Sequence, residues 1–187
     1  MVAGLPVDSP TIKSSQKGEW VDLHVLKILF PPSDKADIAV LKTGQDVVTP
    51  FKVAIVGENE GVTFGQPVWF LGYPFLEALH TRTSNFEFPF IKKGILSAIN
   101  STDEHAVVMY IDGFNNKGFS GGPILFCGFG SHEYRILAVV SSYRNATAEA
   151  NINGQKVDTN ILVNSGILVS YWIRHAIEAI EKEEPQK

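Results

Sequence analysis

Short apolar runs of roughly four to eight residues, rich in Val, Ile and Phe, recur along most of the chain with Gly, Pro, Asn or Asp between them. Strands separated by turns at that spacing favour an antiparallel barrel or sandwich. The predicted strands lie near Trp20–Phe30, Ile38–Lys42, Lys52–Val56, Val68–Gly72, Gly94–Ile99, Ala106–Ile111, Pro123–Cys127, Tyr134–Ser142 and Ile161–Val163. The turns between them are chemically suited to the task. Pro31-Pro32-Ser33-Asp34 cannot continue a central strand, and Gly57-Glu58-Asn59-Glu60-Gly61 tolerates positive φ. Pro74–Pro89 has no clear period and reads as a connection between halves. Helical spacing occurs only at the C-terminus, where Val169, Ile173, Ala176, Ile177 and Ile180 recur after Ser170 as a candidate N-cap.

Composition narrows the partners. Of 187 residues, 44% are hydrophobic and 19% charged, which is enough apolar material for a packed core. The net charge is −4 and no Lys/Arg cluster exceeds pairs such as Lys92-Lys93, so neither nucleic acid nor an anionic membrane is an expected partner. Cys127 is the single cysteine, so no intrachain disulfide can form. The start of the chain lacks a basic segment followed by an apolar core, which as written predicts a cytoplasmic chain without an export signal. No histidine pair has metal-ligand spacing and Gly128-Phe129-Gly130 is too short for a dinucleotide fingerprint, so no metal and no cofactor are expected.

The strongest chemical signal is Gly118-Phe119-Ser120-Gly121-Gly122-Pro123, with one hydroxyl at the centre of a glycine-rich turn. Glycines let the backbone turn tightly and bring the N–H groups of Gly118 and Ser120 toward one point, where an oxyanion of acyl transfer could be stabilised. The plainer alternative is a tight turn with an incidental serine. The second signal is Asp37, placed immediately before the apolar run Ile38-Ala39-Val40-Leu41, where an ordinary turn aspartate is the alternative.

Taken together with Gly72-Tyr73-Pro74, Gly94-Ile95-Leu96-Ser97-Ala98-Ile99 and Val139-Val140-Ser141-Ser142, these segments resemble the trypsin-like, chymotrypsin-fold serine peptidases, in particular their disulfide-poor HtrA/Deg-like branch. The resemblance runs from about Trp20 to the C-terminal helix. It implies an all-β fold of two antiparallel six-stranded-type barrels, the first incomplete, with a C-terminal α-helix. The implied division is an N-terminal barrel at 1–75, a linker at 76–89, a second barrel at 90–168 and a helix at 169–182. It further implies Ser120 as the nucleophile, Asp37 as the residue that orients the base, Gly118 and Ser120 as the oxyanion hole, and Ser141, Ser142 and Tyr143 along the substrate cleft.

The family's base lies in a Thr-Ala-Ala-His-like turn upstream of the aspartate, and no such turn occurs before Asp37. His24 is the sole upstream histidine and the candidate base. It falls inside a strand, about three residues or ~10 Å out of register with Asp37 for a hairpin centred on Pro32, where a half-exposed strand histidine is the simpler reading. His80, His105, His132 and His175 read as surface histidines. Phe119 stands where the digestive enzymes carry an aspartate that captures a new N-terminus, and Phe114 lies at the base of the implied specificity pocket, which points to small or apolar substrate side chains. The implied function is a serine endopeptidase acting on peptides or proteins. The alternative is a non-catalytic module on the same fold that binds an extended peptide along the edge near Val139–Ser142.

Overall fold

The structure is a computed structural model that describes residues 11–16, 19–45, 54–55, 61–74, 79–81 and 84–183. Among these, antiparallel strands dominate and one α-helix closes the chain. Strands β1 (Thr11–Gln16), β2 (Glu19–Leu29) and β3 (Val40–Thr43) form a three-stranded sheet, with Thr11 opposite His24 and Leu29 opposite Val40. The β2–β3 connection begins at Phe30-Pro31-Pro32, where proline removes the ladder donors and ends β2.

The larger sheet contains β4 (Ala54–Ile55), β5 (Pro67–Gly72), β8 (Phe90–Asn100), β9 (Val108–Asp112), β10 (Pro123–Cys127), β11 (Tyr134–Ile152) and β12 (Gln155–Trp172). The order is β10-β5-β8-β9-β12-β11-β4, and β10 also pairs with β11, so six strands close into a hydrogen-bonded ring. Every pairing in it is antiparallel except the short β4–β11 contact. Alternation at period two sends Val68 and Phe70, Met109 and Ile111, and Ile124 and Phe126 inward, where they join Leu96, Ala138, Val140 and Leu168 in one buried cluster. That cluster is the main core.

A second cluster joins the two sheets. Helix α1 (Arg174–Glu183) follows β12 directly, and Ala176 with the preceding Ile173 packs on Ala36 and Ile38, with Val40, Val139 and Tyr171 at its margin. Lys27 of β2 pairs with Glu183 at 2.6 Å at the other end of the helix. The segment before β3 is thereby pinned against the ring.

Several expectations shift. Val68–Gly72, placed by the sequence in the N-terminal unit, is a ring strand, because Val68 and Phe70 supply fully buried side chains to the ring core. The span 76–89 contains a hairpin, β6 (Leu79–Thr81) with β7 (Ser84–Phe88), and it links neighbouring ring strands β5 and β8. The helix begins at Arg174 and not at 169: Ser170 is buried in the β9–β12 ladder, and its hydroxyl donates to the Met109 carbonyl at 2.9 Å instead of capping a helix. Tyr134–Ser142 and Ile161–Val163 are parts of much longer strands. Of Lys52–Val56 only Ala54–Ile55 lies within the described residues, and most of the Gly57–Gly61 turn lies outside them.

Candidate active site

Ser120 sits in the connection between β9 and β10. Phe119 is fully buried, with its ring edge-on to Phe70 at 5.4 Å between centroids. Ser120 follows Phe119 in a turn closed by Gly122 N–H donating to Phe119 O at 2.9 Å, and it is exposed while Phe119 is buried. Two glycines make the approach possible. Gly118 has φ 100° and a Cβ there would collide with the Tyr73 carbonyl, while a Cβ on Gly122 would collide with the Leu71 carbonyl. The loop is fastened by Tyr73 N–H donating to Gly118 O at 2.9 Å, and by Gly121 N–H to Val140 O and Val140 N–H to Gly122 O at 2.8 and 2.9 Å.

The sequence did not reveal a cation beneath this loop. Lys92 of β8 donates to the Phe114 carbonyl at 2.9 Å and to the Asn116 side chain, and its ammonium lies 5.6 and 5.1 Å from the ring centroids of Phe114 and Phe119. Burial lowers its pKa from the ordinary 10.5. A lysine alternating inward with Gly94 and Leu96 reads in sequence as half of a basic pair, and only the pairing of β8 with β5 puts it under Phe119.

Asp37 reaches the same place from the other sheet. Ser141 Oγ donates to Asp37 Oδ2 at 2.7 Å, and Ser120 Oγ donates to the Ser141 carbonyl at 2.8 Å. Ser141 is the bulged residue of β11, since Val140 pairs with Ser170 and Ser142 with Val169, and a bulge re-aims both its side chain and its carbonyl. Sequence reasoning assigned Ser141 to the cleft wall. Its hydroxyl contact with Asp37 depends on tertiary packing and had no local signal.

The other sequence candidates are dispersed around this core. Gly118 is in the Ser120 loop, and Ser142 and Tyr143 continue β11 past Ser141. Phe114 is exposed at the start of the loop, and Asn115 beside it is buried and donates to the Ser142 carbonyl at 3.5 Å. His24 stays in β2, opposite Thr11, and its carbonyl accepts from Gly44 N–H. The β2–β3 register places the turn centre near Asp34-Lys35 and not at Pro32, so His24 faces the end of β3, about seven residues and up to roughly 23 Å along the chain from Asp37.

The remaining histidines are accounted for in part. His105 is in a 3-10 turn and His132 is exposed in the β10–β11 connection. His175 is fully buried and not at the surface: its Nε2 accepts from Val107 N–H at 2.9 Å and its Nδ1 lies 3.3 Å from Glu178. Among the described residues no imidazole is hydrogen-bonded to Ser120, and no group of three or more His, Cys, Asp or Glu is arranged to hold a metal ion.

A hydroxyl on a glycine-rich turn and a carboxylate from the β2–β3 connection are thus bridged by one residue, Ser141. The family model described as the trypsin-like peptidase domain matches residues 12–127, more than half of the chain and both of these residues. The chain belongs to that family. No curated protein matches it.

Proposed function

We propose that the chain is a serine peptidase of the HtrA/Deg-like kind, with its cleft between two barrels, the six-strand ring being the second and β1–β3 belonging to the first. Ser120 Oγ attacks the carbonyl of an extended peptide. The N–H groups of Gly118 and Ser120 receive the oxyanion, and Asp37 orients the base that takes the hydroxyl proton and returns it to the leaving amine, a part the family resemblance gives to a histidine and that no imidazole bonded to Ser120 among the described residues fills. Water then releases the acyl group by the same route. Phe114 borders the side-chain pocket and Ser141, Ser142 and Tyr143 pair with the substrate backbone. The observation that carries this reading is that Ser141 holds both groups, its carbonyl bonded to Ser120 and its hydroxyl to Asp37.

A second reading has its own support. Ser120 donates its proton to a carbonyl and to no base among the described residues, as expected of a cleft that holds peptides without cutting them. Incubation with a library of unstructured peptides, read by mass spectrometry, separates the two. New termini that disappear in Ser120→Ala establish the peptidase. Intact peptides that remain bound to the folded chain establish the binding module.

A further inference from the structure

A lysine that leaves water is ordinarily paired with an anion, because an ammonium stripped of hydration gains little from neutral neighbours. Even on the surface, Lys27 meets Glu183 at 2.6 Å and Lys35 meets Asp103 at 2.9 Å. Lys92 departs from this pattern. It is half-buried, and its acceptors, the Phe114 carbonyl at 2.9 Å and the Asn116 side chain, are both neutral. Among the described residues no carboxylate pairs with it, and burial holds its pKa below 10.5 with no anion to raise it again. The loop above it, Gly113-Phe114-Asn115-Asn116-Lys117-Gly118, contains no acid and adds a second cation, the exposed Lys117.

Fastening the loop does not account for the charge. A neutral side-chain amide can donate to the same oxygens without the cost of desolvating an ammonium. An ammonium has three N–H groups, and with the Phe114 and Asn116 oxygens served one remains for a further acceptor. The cation lies 5.1 Å from the ring centroid of Phe119, the residue before Ser120, and 5.6 Å from that of Phe114, which is 58% exposed at the start of the loop. Asn115 ties the loop to β11 by donating to the Ser142 carbonyl at 3.5 Å. An unpaired cation therefore stands among the residues that border the side-chain pocket of the cleft.

We propose that Lys92 is a specificity-determining residue that binds a substrate carboxylate, so that the chain selects peptides with Glu or Asp at the residue whose carbonyl is presented to Ser120. The inference rests on the peptide-cleft reading of that site and gives it a substrate class, acidic in place of the small or apolar side chain that Phe114 suggests in sequence. The carboxylate supplies the anion that the ammonium lacks, and the charge-assisted bond forms where water is partly excluded, which strengthens it.

The test measures binding to the Ser120→Ala chain of fluorescent peptides blocked at both ends. Each carries Glu, Gln, Leu or Lys at one central position of an otherwise constant uncharged sequence, so that any carboxylate is a side chain and not a chain terminus. Glu is expected to bind roughly tenfold or more tightly than its uncharged isostere Gln, and added salt is expected to shrink that ratio. Lys92→Gln should bring the Glu/Gln ratio to about one, and Lys92→Arg, which keeps the charge, should retain a preference for Glu. The ratio is read within each variant, and the salt series gives the same answer with Lys92 in place. Equal binding of Glu and Gln, a preference for Leu, or a ratio unchanged in Lys92→Gln overturns the inference. So does a preference for Gln, whose amide can also donate to Asn115 Oδ1, buried without a partner among the described residues. Binding by Ser120→Ala requires no chemistry, so a chain that fails to cut peptides still shows the ratio. If none of the peptides binds, the peptide-cleft reading fails and this inference falls with it; if all bind alike, only this inference falls.

Discussion

The direction in which Ser120 points is decided one residue earlier. Phe119 fills the end of the ring core against Phe70, and Gly72 lies so close that any Cβ on it would meet the Phe119 ring at 2.6 Å. Phe119→Ala removes that anchor and is expected to cost about 3–5 kcal/mol, read as a lower urea midpoint with an unchanged slope. Asp37→Asn leaves an acceptor for the Ser141 hydroxyl and is expected to lower peptide hydrolysis on the order of 10⁴-fold where an imidazole depends on the carboxylate. Ser120 and Asp37 stand out in sequence as candidates because their signals are local: glycines flanking a hydroxyl, and an acid ahead of an apolar strand. The part played by Ser141 and Lys92 is not, because each acts through a partner distant in the chain.

At the scale of elements, the segment that carries Asp37 has little regular structure of its own and depends on its neighbours. Ala36 and Ile38 are buried on either side of it under Ile173 and Ala176, which leaves Asp37 exposed toward Ser141. Lys35 adds a tether to the ring through Asp103 at 2.9 Å. The hydrogen bond from Lys35, with another from His105 N–H, holds the Asp103 carboxyl below its ordinary 3.8. Because the folded value is the lower one, this contribution to stability is complete above the ordinary range and is lost as pH falls through the folded value. Asp103→Asn is therefore expected to lower stability slightly at neutral pH, where the contribution is complete, and to match the unaltered chain once the pH has fallen well below 3.8, measured by urea unfolding across pH.

The elements that the sequence places best are those with strong β-branched or aromatic alternation, such as Val68–Gly72 and the strand expected at Ala106–Ile111, which runs from Val108 to Asp112 because Ala106 belongs to a 3-10 turn. The extension of β11 beyond Ser142 has a weak sequence signal because its alternate positions are alanines, which are weak strand formers, and Val169 and Ile173 fall at helical spacing although the helix begins at Arg174.

For the whole molecule, the site exists only where three parts meet: the ring with its Ser120 loop, the β3 entry with Asp37, and α1 holding one to the other. All-β architecture and family were visible from the sequence, whereas the allotment of β5 to the ring was not, since which sheet a buried strand joins is settled by long-range pairing. The central claim is that Ser120 is a nucleophile supported across that junction by Asp37. Reaction with a fluorophosphonate probe, in which the serine oxygen displaces fluoride from phosphorus, tests it most directly. The account predicts stoichiometric labelling at Ser120, none in Ser120→Ala, and markedly slower labelling in Asp37→Asn. A folded chain that leaves the probe untouched, or labels equally well without Asp37, would contradict it.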